Sequence, residues 1–523
     1  MKTKTKPILT AKPLLGAIIK RSIKIRNTVD FRQLRPNRMQ LRTFKKLLET
    51  GKNTAFGRHY DFQELLMSDN PVEEYQASVP IFDYNKMYDE WWHRLLDNEE
   101  DVTWEGKVRN FALSSGTSGA PSKYIPVTDE MQKAMRKAAL KTFFCLTKFN
   151  LDSDIFTKEM LMIGGTSDLQ NKGGYFVGDL SGINAKEPPF WLRSSYRPGP
   201  EIARIGEWND RIEAIAELAP TWDVGFLSGI PSWIQLTLEK IIEKHKLKNI
   251  HELWPNLSVF VHGGIAFEPY QKSFERLLAR PLVYMDSYLA SEGFIAFQNR
   301  PETRSMALLL NNGIFFEFVP FNEENFDEDS NIKPTATALT VEEVTTGVDY
   351  ALLLSTCSGA WRYLIGDTVR FTDVARCEII ITGRTKHFLS ICGEHLSVDN
   401  MNHAVSHAQE VLNVNINEFT VCGITAGNHH RHSWYIDCEP AVDAELLMKT
   451  IDDELKIIND DYATERKSAL AEPILKIVPT EMFYDWLRKG GKSLGQSKFP
   501  RVMKKDIFYE WENFLNEKNV TQS

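Results

Sequence analysis

The chain has 523 residues, 42% hydrophobic and 25% charged, the composition of a globular protein with two or three folding units. A net charge of −8 with a pI near 5.9 argues against a general nucleic-acid binder. Six cysteines (145, 357, 377, 392, 422, 438) without a CxxC pair argue against a disulfide framework and a zinc module, and predict a reduced, cytoplasmic protein.

In chain order, residues 1–46 carry 14 Lys/Arg and one acid, Asp30. The longest apolar run there, Leu14 to Ile19, is shorter than a signal-peptide core, and no run in the chain approaches the roughly 18 residues of a membrane helix. The arm reads as a solvated segment docking on an acidic body, or as a loose contact with a membrane surface or partner; stable membrane insertion is not expected. Leu41, Phe44 and Leu48, with a lysine-rich outer face, predict a helix over 39–50. Thr54-Ala55-Phe56-Gly57 reads as the start of a loop, and Trp91 and Trp92 as packing residues.

Val108 to Leu113 reads as a strand and Asp129 to Phe144 as a helix. Between them, Leu113-Ser114-Ser115-Gly116-Thr117-Ser118-Gly119-Ala120-Pro121-Ser122-Lys123 gathers two glycines, five hydroxyls and a lysine. Glycine permits close backbone approach to an anion, hydroxyls and N–H groups donate to phosphate oxygens, and lysine adds a point charge. Gly119 is followed by Ala120, so this is not a Walker A loop. It reads as a phosphate cradle after a strand, or as a surface turn.

From 108 to 380, apolar runs alternate with helical segments. Strands are predicted at Glu159–Gly164, Val224–Ser228, Ser258–Val261, Leu282–Met285, Gly313–Val319 and Tyr350–Thr356, and helices at Trp208–Leu218, Ile230–His245 and Tyr270–Leu278. The alternation predicts an α/β fold with ligands at strand ends. The acidic stretch Phe321–Ile332 lacks EF-hand spacing and reads as a solvated loop.

Motifs follow these strands in order. Val261-His262-Gly263-Gly264 would let a flat base or sugar lie on the backbone, or is a plain strand-to-helix turn. In Tyr288-Leu289-Ala290-Ser291-Glu292-Gly293, the carboxylate after a strand suits Mg²⁺ shared with substrate phosphates, or is a surface glutamate. In Trp361-Arg362-Tyr363-Leu364-Ile365-Gly366-Asp367, the aspartate suits ribose hydroxyls, or is a solvated turn residue. Gly383-Arg384-Thr385-Lys386 has the composition of a hinge, or ends a strand.

A boundary is expected there, giving a large domain over 1–383 and a small α+β domain over 384–523. The small domain is predicted as helix Val398–Leu412, strand Phe419–Thr425, strand Ser433–Glu439, helix Ala441–Tyr462 and strand Ile474–Val478. His429, His430 and His432 read as exposed residues of a hairpin loop and not as a metal site, and Cys392 as a buried structural thiol. Gly490 to Arg501 is a glycine-rich basic loop that would carry a lysine to an α-phosphate, or is a disordered basic loop.

The segments SSGTSG, YxxSE, WRYxxGD and GRTK, in this order, resemble the adenylate-forming superfamily. Cys357 to Tyr363 before Gly366-Asp367, together with Gln496-Ser497-Lys498-Phe499-Pro500-Arg501 and the early Thr54–Gly57, most resemble the Gretchen Hagen (auxin-responsive promoter) acyl-acid amido synthetases. The resemblance covers roughly residues 40–510. It implies a large N-terminal adenylate-forming domain and a small mobile C-terminal one. It also implies activation of a carboxylic acid by Mg·ATP as acyl-AMP, then transfer to an amine such as an amino acid.

The cofactors implied are ATP and Mg²⁺. Carried onto this sequence, Ser114, Ser115, Gly116, Thr117 and Ser118 would meet ATP phosphates, Gly263 and Gly264 would border adenine, and Tyr288, Ser291 and Arg384 would complete the nucleotide site. Asp367 would hold ribose, Glu292 would bind Mg²⁺, Lys498 would contact the α-phosphate, and Lys386 stands at the hinge. Family members from plants usually have Tyr-Arg-Tyr where this chain has Trp361-Arg362-Tyr363. A carboxylate–CoA ligase using the same adenylation step, and a non-catalytic nucleotide or acyl-adenylate binding protein, are the alternatives. The acyl group, the acceptor and the oligomeric state are left open.

Overall fold

The computed structural model describes residues 16–18, 20–22, 35–114, 123–186, 193–264, 267–327, 330–385, 388–389, 391, 394, 396–426, 429–440, 442–466, 470–490 and 499–518. The first long helix, α1 (Pro36–Gly51), starts on a proline, whose missing N–H costs nothing in a first turn, and buries Phe44, Leu47 and Leu48. Thr54 is not in a loop. It caps the short helix Ala55–His59 by accepting from the Gly57 N–H at 3.0 Å. A Cβ on Gly57 would meet the Gly51 carbonyl oxygen at 2.1 Å, so this early motif is a packing device. Trp91 and Trp92 are buried, as expected of packing residues.

The strand over 108–113 forms as β1 (Asn110–Ser114), but the hydroxyl-rich stretch does not lead from it into a helix. A second strand, β2 (Lys123–Val127), intervenes and pairs antiparallel with β1, Ser114 facing Lys123. Helix α2 (Asp129–Cys145) then begins behind its own cap, Thr128, which accepts from the Met131 N–H at 3.1 Å. The short apolar run of β2 was hidden by its two flanking polar segments.

Strands β3 (Glu159–Ile163), β4 (Tyr196–Arg197), β5 (Val224–Gly229), β6 (Val259–Gly263) and β7 (Val283–Ala290) alternate with α3 (Leu180–Lys186), α4 (Trp208–Leu218), α5 (Pro231–His245) and α6 (Glu268–Glu275). They are followed by β8 (Gly293–Phe297), β9 (Met306–Leu308), β10 (Ile314–Pro320), β11 (Asp349–Thr356), β12 (Tyr363–Asp373) and β13 (Glu378–Arg384). All join one 11-stranded sheet in the order β10-β11-β12-β13-β9-β8-β7-β6-β5-β3-β4. From β4 to β7 neighbouring strands are parallel; from β7 to β10 they are antiparallel. The α/β reading thus holds for half the sheet. In the antiparallel half, β11 and β10 are buried on nearly every residue, so no alternation marks their faces in the sequence.

Helix α7 (Val398–Leu412) opens the C-terminal unit, on a capping box in which Ser397 and Asn400 each satisfy the other's backbone. Strands β14 (Phe419–Ala426) and β15 (His429–Ile436) pair antiparallel, and β16 (Ile474–Ile477) adds parallel to β15. Helix α8 (Ala444–Ile458) ends before Asn459, so the helix predicted over 441–462 is two, the second running Asp460–Glu465. Helices α9 (Thr480–Lys489) and α10 (Lys505–Glu517) were not anticipated; both pack on the sheet through Phe483, Leu487, Phe508 and Trp511.

The imidazole cluster corrects the sequence reading. Residues 429, 430 and 432 belong to β15, and His432 is fully buried, its Nε2 2.8 Å from a Glu394 carboxylate oxygen that is equally buried. Residues 432–436 of β15 are all buried, so the strand is covered on both faces and His432 leaves water whichever way it points, where an imidazole needs a polar partner. Cys392 lies outside the described residues; the five described cysteines are buried and unbridged. Among the described residues, no helix is long and apolar enough to cross a membrane.

Helix α6 of the large sheet touches this unit. The Tyr270 hydroxyl donates to Glu418 Oε1 at 2.8 Å, and Arg501 Nη1 donates to Glu418 Oε2 at 2.8 Å. Ser273 Oγ donates to Asn417 Oδ1 at 2.7 Å, and Lys272 Nζ to Asn413 Oδ1 at 3.0 Å. Tyr270 and Glu418 are buried, so the bond between them has no solvent substitute. Replacing Glu418 with Ala should strand the Arg501 guanidinium and cost about 3–5 kcal/mol, read as an earlier urea-unfolding transition. Tyr270→Phe, which removes one donor, should cost about 1 kcal/mol. An unchanged midpoint in Glu418→Ala would show that the pair does not hold the unit.

Candidate active site

The parallel and antiparallel halves of the sheet meet at β7, and the YxxSE segment spans that junction. Tyr288 lies inside β7, which runs five residues past the predicted end at Met285. Ser291 and Glu292 form the tight turn into β8, with Gly293 facing Ala290. Asp367 is likewise inside a strand and not in a turn: β12 places it directly across from Arg384 on β13. Gly366, with φ +89°, precedes it and turns its carbonyl to the Thr385 N–H at 2.8 Å.

These residues converge. The Tyr288 hydroxyl donates to Asp367 Oδ2 at 2.5 Å, and Arg384 Nε forms an ion pair with Asp367 Oδ1 at 3.0 Å. An ionised carboxylate offers about four acceptor positions, so each Asp367 oxygen keeps one for a further O–H donor. Arg384 remains half-exposed, and the charge of Asp367 raises its pKa. Burial and the Asp367 charge hold the Tyr288 phenol well above its ordinary pKa, so it stays a donor.

Glu292 is 6% exposed and lacks an ion-pair partner within bonding distance among the described residues. Burial pushes its carboxyl up to about 7, the charge of Asp367 adds to this, and Lys123 and Arg384 offset part. A carboxylate held this way fits a cation that arrives with its own charge. Among the described residues no three potential metal ligands converge.

Lys123, the point charge of the hydroxyl stretch, stands at the start of β2. Its ammonium lies 5.3 Å from the Tyr84 ring and acts on Glu292. Its antiparallel register with Ser114 was the missing signal.

Gly263 ends β6, and a Cβ there would meet the Ser287 carbonyl oxygen at 2.2 Å, so β7 itself demands the glycine. Gly264 follows with φ +84° and an exposed backbone. His262 is buried, ring against ring with Phe267 at 4.5 Å. Trp361 and Arg362 prove structural. Trp361 donates to the Thr103 carbonyl at 2.9 Å, and Arg362 donates to the carbonyls of Gln76 and Val79 and to Glu317. Ser114 closes β1. Ser115, Gly116, Thr117, Ser118, Lys386 and Lys498 lie outside the described residues.

Three family models match the chain, in order: the GH3 family N-terminal domain over residues 29–215, its central domain over 307–380 and its C-terminal domain over 399–507. Among curated proteins, jasmonoyl–L-amino acid synthetase JAR4 of Nicotiana attenuata is 23% identical over 89% of this chain and 91% of its own length. Jasmonoyl–L-amino acid synthetase GH3.5 of Oryza sativa subsp. japonica is 22% identical over 93% and 95%. A solved GH3.15 acyl acid amido synthetase superposes with a TM-score of 0.74, covering 98% of this chain and 97% of its own, at 16% identity. A 2-hydroxyisobutyryl-CoA ligase in the postadenylation state with 2-HIB-AMP gives a TM-score of 0.57 over 91% of each chain at 13% identity. At such identities the structural likeness speaks for the fold alone. With family models spanning more than half of its length in their proper order, this chain belongs to the GH3 family.

Proposed function

We propose that this protein is an ATP-dependent acyl-acid amido synthetase. A free carboxylate is a poor acyl donor because oxide is a poor leaving group. In the first step a carboxylate oxygen of the acid attacks the α-phosphorus of Mg·ATP and pyrophosphate departs. In the second, an amine, best an amino acid's, attacks the acyl carbon and AMP departs. The work required of the protein is alignment and stabilisation of charge on phosphoryl oxygens.

The observation that carries this reading is the buried Glu292 beside the Asp367–Tyr288–Arg384 cluster, in a chain of this family. Asp367 accepts both ribose hydroxyls through its remaining acceptor positions, oriented by Tyr288 and Arg384. Glu292 holds Mg²⁺, whose bound charge supplies polarisation of the phosphates. The hydroxyls of Ser114, Ser115, Thr117 and Ser118 donate to phosphate oxygens, with the Gly116 backbone alongside. Gly263, Gly264 and Ser291 border the base and phosphates. Lys498 neutralises charge at the α-phosphate. The small domain, taken as 384–523, swings about Gly383–Lys386 between the two steps.

The sign of the Glu292 titration gives one test. The folded protein keeps a proton on Glu292 between pH 4.5 and about 7 that the unfolded chain has lost. Without metal, stability therefore falls as pH rises through that window. Glu292→Gln removes the penalty: it should stabilise the metal-free protein by about 1–3 kcal/mol at pH 8 and by almost nothing below pH 4.5, while slowing adenylation about 100-fold or more. Thermal melts at the two pH values check the first, and a stabilisation that does not depend on pH would refute the assigned titration.

Pyrophosphate release from Mg·ATP, measured across aromatic and aliphatic carboxylic acids with amino acids or CoA present, tests the reaction itself. One acid should drive release and an amino acid should consume the adenylate. Consumption by CoA alone would replace the amide assignment with a thioester one. Lys498→Ala should slow release at least about 100-fold with ATP binding retained, and equal rates would remove the lysine from the chemistry. Asp367→Ala should weaken ATP binding about 10-fold or more, and an unchanged ATP dissociation constant would refute the ribose role.

A further inference from the structure

The carboxyl edge of the parallel strands opens into a second cleft, away from the Asp367 cluster. β3 ends at Ile163, and the cleft beyond it, about 360 Å³ counting its open mouth, is lined by Gly164, Gly165, Ser181, Tyr196, Pro198 and Arg211. Its enclosed part has room only for water-sized groups, so it admits the end of a molecule and not its body.

Arg211 is 4% exposed. Its guanidinium stacks 5.2 Å from the Trp208 ring on the first turn of α4. Among the described residues it has no hydrogen-bond acceptor and no ion pair, and its Nε is enclosed without a partner. Asp179 is the carboxylate that acts on it, from beyond ion-pair distance. Asp179 Oδ1 is already taken by the Ser181 N–H at 2.7 Å and by the Ser181 hydroxyl. The Gly165 N–H in turn donates to Ser181 Oγ at 2.7 Å. Gly165, Ser181 and Asp179 Oδ1 thus bond one another, and among the described residues none of them bonds the guanidinium. A buried cation without a partner is costly, and a planar fork of N–H donors matches a carboxylate.

Register places the cleft beside the proposed nucleotide site. Ile163 faces Gly229, Gly229 faces His262, and His262 faces Asp286, so β3, β5 and β6 end close to one row that meets β7 at Asp286. At about 4.8 Å per strand, Ile163 and His262 are roughly 10 Å apart. That is the reach of one small substrate along the edge.

We propose that Arg211 receives the carboxylate of a substrate that is not consumed in the reaction. Two substrates carry one: an amino-acid acceptor, through its α-carboxylate, and a dicarboxylic acyl acid, through its distal carboxylate. The inference rests on the amido synthetase reading for the identity of the ligand, but its test needs no turnover.

Calorimetric titration of the full chain with two probe pairs separates the possibilities: L-alanine against L-alaninamide, and glutarate against monomethyl glutarate. Wild type should bind the additional carboxylate of one pair at least ten-fold more tightly than its neutral counterpart. Preference within the alanine pair assigns the acceptor, and preference within the glutarate pair assigns the acyl acid. Arg211→Met should abolish the preference, and Arg211→Lys, keeping charge without the fork, should retain part of it. No preference in either pair in wild type, or full preference in Arg211→Met, overturns the proposal. If Arg211→Met fails to fold, Arg211→Lys decides, since undiminished preference there removes the fork from recognition. Pyrophosphate release that never depends on an acid would defeat the enzymatic reading and leave these binding results standing on their own.

Discussion

Asp367 faces Arg384 because β12 and β13 pair antiparallel at one particular register, and Tyr288 reaches the same carboxylate from β7, four strands away. A one-residue slip would turn Asp367 to the opposite face and break both bonds. The sheet order puts β9 and β8 between β13 and β7, so the contact requires the sheet to bend across them. The pairing of β8 with β7 is irregular on this path, shifting register between Phe294 and Ala296, the kind of irregularity that bends a sheet locally. The geometry of the candidate site therefore depends on the whole antiparallel half of the sheet.

Much of the motif sequence serves that sheet and not the ligand. Arg362 is buried with φ +40°, a conformation costly for a non-glycine residue. Its guanidinium donates to the carbonyls of Gln76 and Val79, each at 2.7 Å, and pairs with Glu317, which is fully buried. The pair ties the segment before β12 to the helical N-terminal layer, and Trp361 does the same through Thr103. Together they set where β12 begins, and hence where Asp367 falls. Glu292 is the contrasting case. Nothing in the fold compensates its burial fully, and Lys123 and Arg384 reduce the penalty without removing it. Uncompensated burial of a carboxylate is what a site for an incoming cation requires.

The contact between α6 and the C-terminal unit has a related logic. Glu418 serves donors from both sides, Tyr270 from the large sheet and Arg501 from its own unit. Through one carboxylate, the position of Arg501 within its own unit is tied to the packing of that unit on α6. The described polar contacts there are hydrogen bonds between side chains of the two units, more exchangeable than a large apolar seam.

The sequence by itself determined the family, the parallel βα half, and the residue types of the site: Glu292 and Asp367 were legible as carboxylates following apolar runs, and Tyr288 and Arg384 through the motifs that resemble the family. Helices such as Val398–Leu412 were legible to the residue, since their caps and periodicity are local. Only the tertiary structure decided what those residues do to one another. The Tyr288–Asp367 bond spans 79 positions, and no local propensity encodes it. The same holds for the second strand of the hydroxyl hairpin, the burial of His432 and the unpaired Arg211. Pairing register, strand facing and burial are properties of the assembled sheet, fixed by which surfaces must leave water together.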